Sequence, residues 1–291
     1  MNGMIEGFDA RRLPGDGVEI DALVGGSGPP LLLLHGYPQT RMIWAAVAPR
    51  LAQSFTLVIP DLRGYGRSDK PQGDKDHFLY SKRQMARDQI ATMKALGHER
   101  FHVAGHDRGG RVAYRLALDH PQAVDRLAVI DIVPTAEMWQ AGAVGMMGLF
   151  QWTFLAQDVP LPEMLLQDRA VDFMQWLFTR WTTPGFEFHP DAMRDYLESG
   201  SSPEAIHASC EDYRAGWHVD RLHDEEDRGR KSIAAPTLLL WGEHGAAAKT
   251  APLEIWKQWA SHVTGMALPA GHFVPEEAPA ETAQALLDFF S

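Results

Sequence analysis

Phe101-His102-Val103-Ala104-Gly105-His106-Asp107-Arg108-Gly109-Gly110-Arg111-Val112-Ala113 is the stretch whose reading decides the fold. Apolar residues of strand character (Phe101, Val103, Ala104) run into Gly105-His106-Asp107-Arg108-Gly109-Gly110, and a helical pattern follows. Glycines at 105 and 109 frame Asp107, as in a strand-to-helix turn sharp enough to lift one side chain over a sheet. Such a turn strains the framed residue and presses its neighbours against adjacent strands, where a Cβ would clash. The framed residue here is a carboxylate. Attack on an ester or amide would give an anhydride, so Asp107 suits displacement at a saturated carbon, which leaves an alkyl ester that water can hydrolyse.

Outward from the turn, short apolar runs bounded by turn signals repeat: Leu31 to Leu34, Phe55 to Ile59, Leu127 to Ile130 and Pro236 to Trp241. Each is too short for a helix and reads as a strand buried on both faces of a parallel sheet. Val18 to Val24 reads as an early strand, and a short one is expected near Met266. Helical segments are expected around Arg41 to Leu51, Tyr80 to Leu96, Ala251 to Ser261 and Glu276 to Phe290. The alternation predicts an α/β fold with right-handed crossovers. It stops between about Pro134 and Lys231, a stretch rich in tryptophan and methionine that reads as helices, two of them opening at His189-Pro190 and Ser202-Pro203. The expected organisation is a core of residues 1–133 and 232–291, with residues 134–231 inserted as a helical cap over the strand ends, where open sheets bind ligands.

The chain has 291 residues, 45% of them hydrophobic and 22% charged, ample for a packed core. A net charge of −11 argues against nucleic acid or an anionic membrane as partner, but leaves a small anionic substrate open. The single cysteine, Cys210, excludes an intrachain disulfide and fits a reducing compartment. No signal peptide is visible in MNGMIEGFDARR, and the longest apolar stretch, Ala141 to Ala156, falls short of the ~20 residues of a membrane helix. A cytoplasmic location is expected, with no cofactor and no metal.

HGYPQT from His35, DLRGYGRSDKP from Asp61, GHDRGGRVAYR from Gly105, AVIDIVPT from Ala128, FLAQ from Phe154, CEDYRAG from Cys210 and GHF from Gly271 occur in this order. The set resembles the capped α/β-hydrolases with an aspartate nucleophile, which include haloalkane dehalogenases, epoxide hydrolases and fluoroacetate (haloacetate) dehalogenases, and it looks most like the haloacetate branch. The resemblance covers nearly the whole chain and implies a mostly parallel central sheet, helices on both faces, a helical cap and a homodimer.

Asp107 is the expected nucleophile, and His272, late in the chain as this fold's order requires, the general base. The acid that orients His272 could be Asp131, after the strand at 127–130, or Glu243, after the strand at 236–241; Asp131 matches the dehalogenase pattern. The backbone N–H groups of Tyr37 and Arg108 are expected to stabilise the oxyanion. Arg108 and Arg111 lie three apart on one face of a helix start, beside the nucleophile, and suggest a substrate carboxylate held by forked hydrogen bonds. Arg115 reads equally well as a surface arginine. In the family a His-Trp pair and a tyrosine donate to the departing halide. The tryptophan matches Trp152, which could also be a core residue, and the tyrosine matches Tyr213. Gln151 stands where the family has histidine, a departure that favours chloride and bromide over fluoride.

These readings point to a hydrolytic dehalogenase turning short 2-haloacids, such as haloacetates, into 2-hydroxy acids with water as co-substrate. An epoxide hydrolase using the same triad is the first rival, since Tyr213 could protonate a ring oxygen. A non-catalytic ligand sensor is the second, and it would have no need of Asp107, Asp131 and His272 together.

Overall fold

The computed structural model describes residues 5–291, and of Ala143 and Val144 the backbone alone. Its centre is an eight-stranded sheet in the order β1-β2-β4-β3-β5-β6-β7-β8. The strands are β1 (Phe8–Pro14), β2 (Glu19–Gly26), β3 (Pro30–Leu34), β4 (Thr56–Pro60), β5 (Phe101–His106), β6 (Val124–Ile130), β7 (Thr237–Gly242) and β8 (Val263–Leu268). From β4 to β8 every neighbouring pair is parallel, and β2 is antiparallel to both β1 and β4.

The strand side chains explain the layers. Leu32 and Leu34 of β3 join one apolar cluster with Val103, Leu127 and Leu239; Leu31 and Leu33 join the other with Ala104, Ile130 and Leu240. Alternate residues of a strand point to opposite faces, so an unbroken apolar run is what a strand covered on both sides requires. Helices Lys82–Ala95 and Arg108–Asp119 close the first face, through Met85, Val112 and Leu116. Leu51 and the last helix, through Leu286 and Phe290, close the second.

Some expected elements differ. β1 lies at the sheet edge, with four consecutive exposed residues, Asp9 to Arg12. An edge strand pairs on one side only and tolerates charge, so it offers no apolar run to read. The segment from Arg41 to Leu51 is a short tight helix (Arg41–Trp44) and a separate turn (Ala48–Leu51) with Pro49 in its first turn. Proline has no N–H to continue a preceding helix. The helix expected over Ala251 to Ser261 spans Pro252–Trp256. The C-terminal helix is broken at Ala278 (φ −134°), because Pro279 excludes the helical conformation from the residue before it.

Between Ile130 and Thr237 the chain is helix and loop apart from a single bridge at Ile233. His189 and Ser202 cap the two proline-first helices, accepting from the N–H groups of Asp191 (3.3 Å) and Ala205 (3.2 Å). Among the described residues no helix is long and apolar enough to cross a membrane; the reading of the amino terminus rests partly on residues 1–4, which lie outside them.

Candidate active site

Asp107 follows β5 with φ 49° and ψ −118°, outside the regions a non-glycine residue ordinarily occupies, a conformation costing about 1–3 kcal/mol. The glycine frame makes it possible. A Cβ on Gly105 would lie 2.4 Å from the Gly109 carbonyl oxygen, and one on Gly109 would lie 2.3 Å from that of His35. Asp107 is thereby held at the start of helix Arg108–Asp119, and its Oδ1 accepts from the Tyr37 N–H at 2.9 Å.

Oδ2 of Asp107 faces the other way, 3.8 Å from Nε2 of His272. The opposite ring nitrogen, Nδ1, lies 2.6 Å from Oδ2 of Asp131, whose Oδ1 accepts from the Gly242 N–H at 3.1 Å. Asp131 follows β6 and His272 follows β8, so three strand ends supply the three groups. Glu243, the other candidate for the orienting acid, is exposed and pairs with His244 at 3.3 Å. His106 donates through Nε2 to the His272 carbonyl oxygen at 2.8 Å; burial pushes its imidazole down to about 3, so it stays neutral. Burial also pulls His272 downward, but the bond to Asp131 and the charges of Asp131 and Asp107 outweigh it and leave that imidazole above its usual value. For Asp107 burial acts upward and is overcome by His272, with Arg108 and Arg111 adding to it, so it is ionised.

The two arginines occupy different electrostatic positions. Arg108 is buried and forks onto Asp212, Nε to Oδ2 at 3.0 Å and Nη2 to Oδ1 at 2.7 Å; its guanidinium lies 4.3 Å from the Tyr213 ring centre. Asp212 also takes a short bond from Lys82 and one from the Tyr65 hydroxyl at 2.5 Å. Arg108 is thus largely neutralised, with Nη1 left unpartnered. Arg111 has no carboxylate at ion-pair distance among the described residues. Its Nη1 donates to Val133 O (3.0 Å) and Thr135 Oγ1 (3.2 Å), its Nε has no partner, and it stacks on Trp152 at 4.5 Å. Burial and the charge of Arg108 both weigh against its protonated form. Arg115, one turn on, is buried and ion-paired with Asp224 (2.8 Å) and Asp227 (2.5 Å), a structural role rather than a surface one.

Asp107, Asp131, His272, Arg111, Trp152, Tyr213 and Gln151 line one cavity of about 830 Å³. Trp152 and Tyr213 pack edge to face at 5.8 Å, and burial keeps the Tyr213 hydroxyl protonated. Asp212 was not singled out from sequence. Nothing in Cys210-Glu211-Asp212-Tyr213-Arg214 distinguishes it from its acidic neighbour Glu211, and its partners Arg108 and Lys82 lie far off in sequence.

The sequence signature of the alpha/beta hydrolase fold matches residues 29–279. The chain is 43% identical to a fluoroacetate dehalogenase from Burkholderia sp., over 99% of this chain and 95% of that one. It is 30% identical to a soluble epoxide hydrolase from Corynebacterium sp., over 95% of each. The crystal structure of an α/β-hydrolase candidate from Nostoc sp. PCC 7120 superposes with a TM-score of 0.96 at 44% identity, over 99% of both chains. A sheet in this order, an acidic residue in the strained turn after β5 and full-length similarity at this level lead to one assignment: the chain belongs to the α/β-hydrolase family, and within it to the haloacetate-dehalogenase type that the Burkholderia enzyme represents.

Proposed function

We propose that the protein is a cofactor-independent hydrolytic dehalogenase acting on short 2-haloacids such as haloacetates, with residues 134–231 as a cap over a core of residues 1–133 and 232–291. The observation that carries the reading is Arg111: a buried cation with an unpartnered N–H and no carboxylate of its own, lining the same cavity as Asp107. A substrate carboxylate would supply the missing anion, with the free Nη1 of Arg108 as a second donor.

The carboxylate bound there sets C2 against Asp107. Oδ2 is the oxygen free to attack, since Oδ1 is held by the Tyr37 N–H. It forms the C2–O bond as the carbon–halogen bond breaks, and the halide leaves toward Trp152, Tyr213 and Gln151. Esterification removes the charge of Asp107, one of the influences holding the His272 pKa up, so the imidazole is more readily neutral, the form that can take a proton from water, when the ester needs hydrolysing. Water deprotonated by His272, with Asp131 stabilising the imidazolium, attacks Cγ of Asp107. Oδ1 then becomes the oxyanion at the N–H groups of Tyr37 and Arg108. The Cγ–Oδ2 bond breaks, and the 2-hydroxy acid departs carrying Oδ2 with the proton from His272.

One observation supports a second reading. The buried, protonated Tyr213 hydroxyl could donate to an epoxide oxygen, and the Corynebacterium relative is an epoxide hydrolase. A neutral epoxide leaves Arg111 unmatched. Chloride and glycolate release from chloroacetate, run beside styrene oxide, is the test: chloroacetate turnover is expected, and diol formation without it would reverse the assignment.

A further inference from the structure

The loop Gly271-His272-Phe273 presents three consecutive backbone N–H groups, and each finds its acceptor outside the loop. That of His272 donates to the Trp181 carbonyl oxygen at 2.8 Å. Those of Gly271 and Phe273 donate to Oε2 and Oε1 of Glu277, at 2.8 and 2.9 Å. Oε2 also accepts from the Thr183 N–H at 2.7 Å, so one half-buried carboxylate joins the loop of His272 to a segment 94 residues before Glu277. The N–H groups of Thr183 and Gly271 point at the same oxygen, and two donors cannot bond each other. A carboxylate oxygen has lone pairs for both and carries no proton to oppose them. The approach is tight: a Cβ on Gly271 would lie 2.5 Å from the Trp181 carbonyl oxygen and 3.0 Å from Oε2 of Glu277.

The segment bound in this way forms the wall beside the base. Trp181 and Thr182 line the cavity with His272, and the Trp181 ring meets the imidazole edge to face at 5.3 Å. Asp131 holds the imidazole at Nδ1, and His106 holds the His272 carbonyl oxygen. Glu277 holds the neighbours on either side. We propose that Glu277 is a positioning residue for hydrolysis of the ester: by binding the loop of His272 and Thr183 together, its carboxylate keeps the base where it can aim water at Cγ of Asp107. The inference rests on the two-step haloacid reading of the same site. In that reading Asp107, already ionised, forms the ester without a base, and His272 is needed only to hydrolyse it. Loss of Glu277 therefore slows the second step and spares the first.

A single turnover with enzyme in excess over bromoacetate separates the steps. Bromide release reports formation of the ester, and mass spectrometry of the acid-quenched peptide containing Asp107 follows loss of its carboxymethyl group. Glu277→Gln keeps the shape of the side chain but turns an NH2 toward at least one of the N–H groups it must accept from. Bromide should appear at the wild-type rate, while the ester should decay tenfold or more slowly, toward the roughly hundredfold cost of a reacting group misplaced by about 1 Å. Ester decay at the wild-type rate would overturn the inference, whatever fraction of the variant is folded, because decay of an ester already formed does not depend on that fraction. Equal slowing of both steps, or loss of bromide release in the variant alone, would overturn it too and leave the haloacid reading standing. A wild type that releases no bromide would overturn the haloacid reading and this inference with it.

Discussion

Replacing Arg111 with methionine keeps much of the stem that packs on Trp152 and removes the guanidinium. Arg111 is 1% exposed, so solvent does not screen what is lost. It has no carboxylate at ion-pair distance among the described residues, so the substrate would supply the anion it pairs with directly. Loss of a charged hydrogen bond of about 1.5–3 kcal/mol should lower kcat/KM on chloroacetate by roughly ten- to 150-fold. Chloroacetamide offers a neutral acceptor, for which about 0.5–1.5 kcal/mol gives roughly a two- to 13-fold loss. Arg111→Lys keeps the charge without the fork and should fall between wild type and Arg111→Met on chloroacetate. The assay is the initial rate of chloride release over a range of each substrate, with circular dichroism to confirm folding, because Nη1 of Arg111 also holds Val133 O and Thr135. Equal losses on acid and amide would show that Arg111 does not read the carboxylate.

Three further outcomes are expected. Gln151→His should raise the fluoroacetate-to-chloroacetate ratio of kcat/KM by roughly one to two orders of magnitude, since fluoride depends most on a charge-assisted donor; a wild type that already prefers fluoroacetate, with a ratio that stays flat in the variant, would exclude Gln151 from that role. The His272 imidazole should titrate above its usual value in the wild type and lower in Asp107→Asn, because a negative charge 3.8 Å away is removed; an NMR titration with an unmoved or raised midpoint would contradict this. Asp212→Asn breaks a buried ion pair worth about 3–5 kcal/mol and should lower Tm by roughly 6–20 °C at neutral pH. The native fold holds the Asp212 carboxyl well below its usual value, chiefly through Arg108 and Lys82, which overcome burial acting the other way. The stability it adds is therefore present above the ordinary carboxylate range and fades as pH falls, so the gap between wild type and variant should narrow on acidification; a constant gap would deny the charge its part.

The sheet was legible because burial on both faces leaves an unbroken mark, as in Leu31 to Leu34, while β1 was hidden by the charges an exposed edge can carry. At the site, Asp107 was legible because a strained turn demands glycine on either side, and that demand is written in adjacent residues. The choice between Asp131 and Glu243 was not decidable from residue types alone, since both follow strands of one sheet. The 2.6 Å approach of Asp131 to His272 is a property of how two distant loops pack. The same holds for Arg108 and Arg111. Sequence set them on one face of a helix, but Asp212, 104 residues away from Arg108, makes one a neutralised donor, while the other has no carboxylate at ion-pair distance among the described residues.

The covalent step is the centre of the account, and the fate of one oxygen atom tests it most directly. With enzyme in excess over chloroacetate in heavy-oxygen water, a single turnover should give glycolate whose hydroxyl is unlabelled, that oxygen having come from Oδ2 of Asp107, while the label appears in the peptide containing Asp107. Glycolate carrying the heavy oxygen at its hydroxyl in that first turnover, with the Asp107 peptide unlabelled, would mean that water attacks the carbon directly and that Asp107 is not the nucleophile.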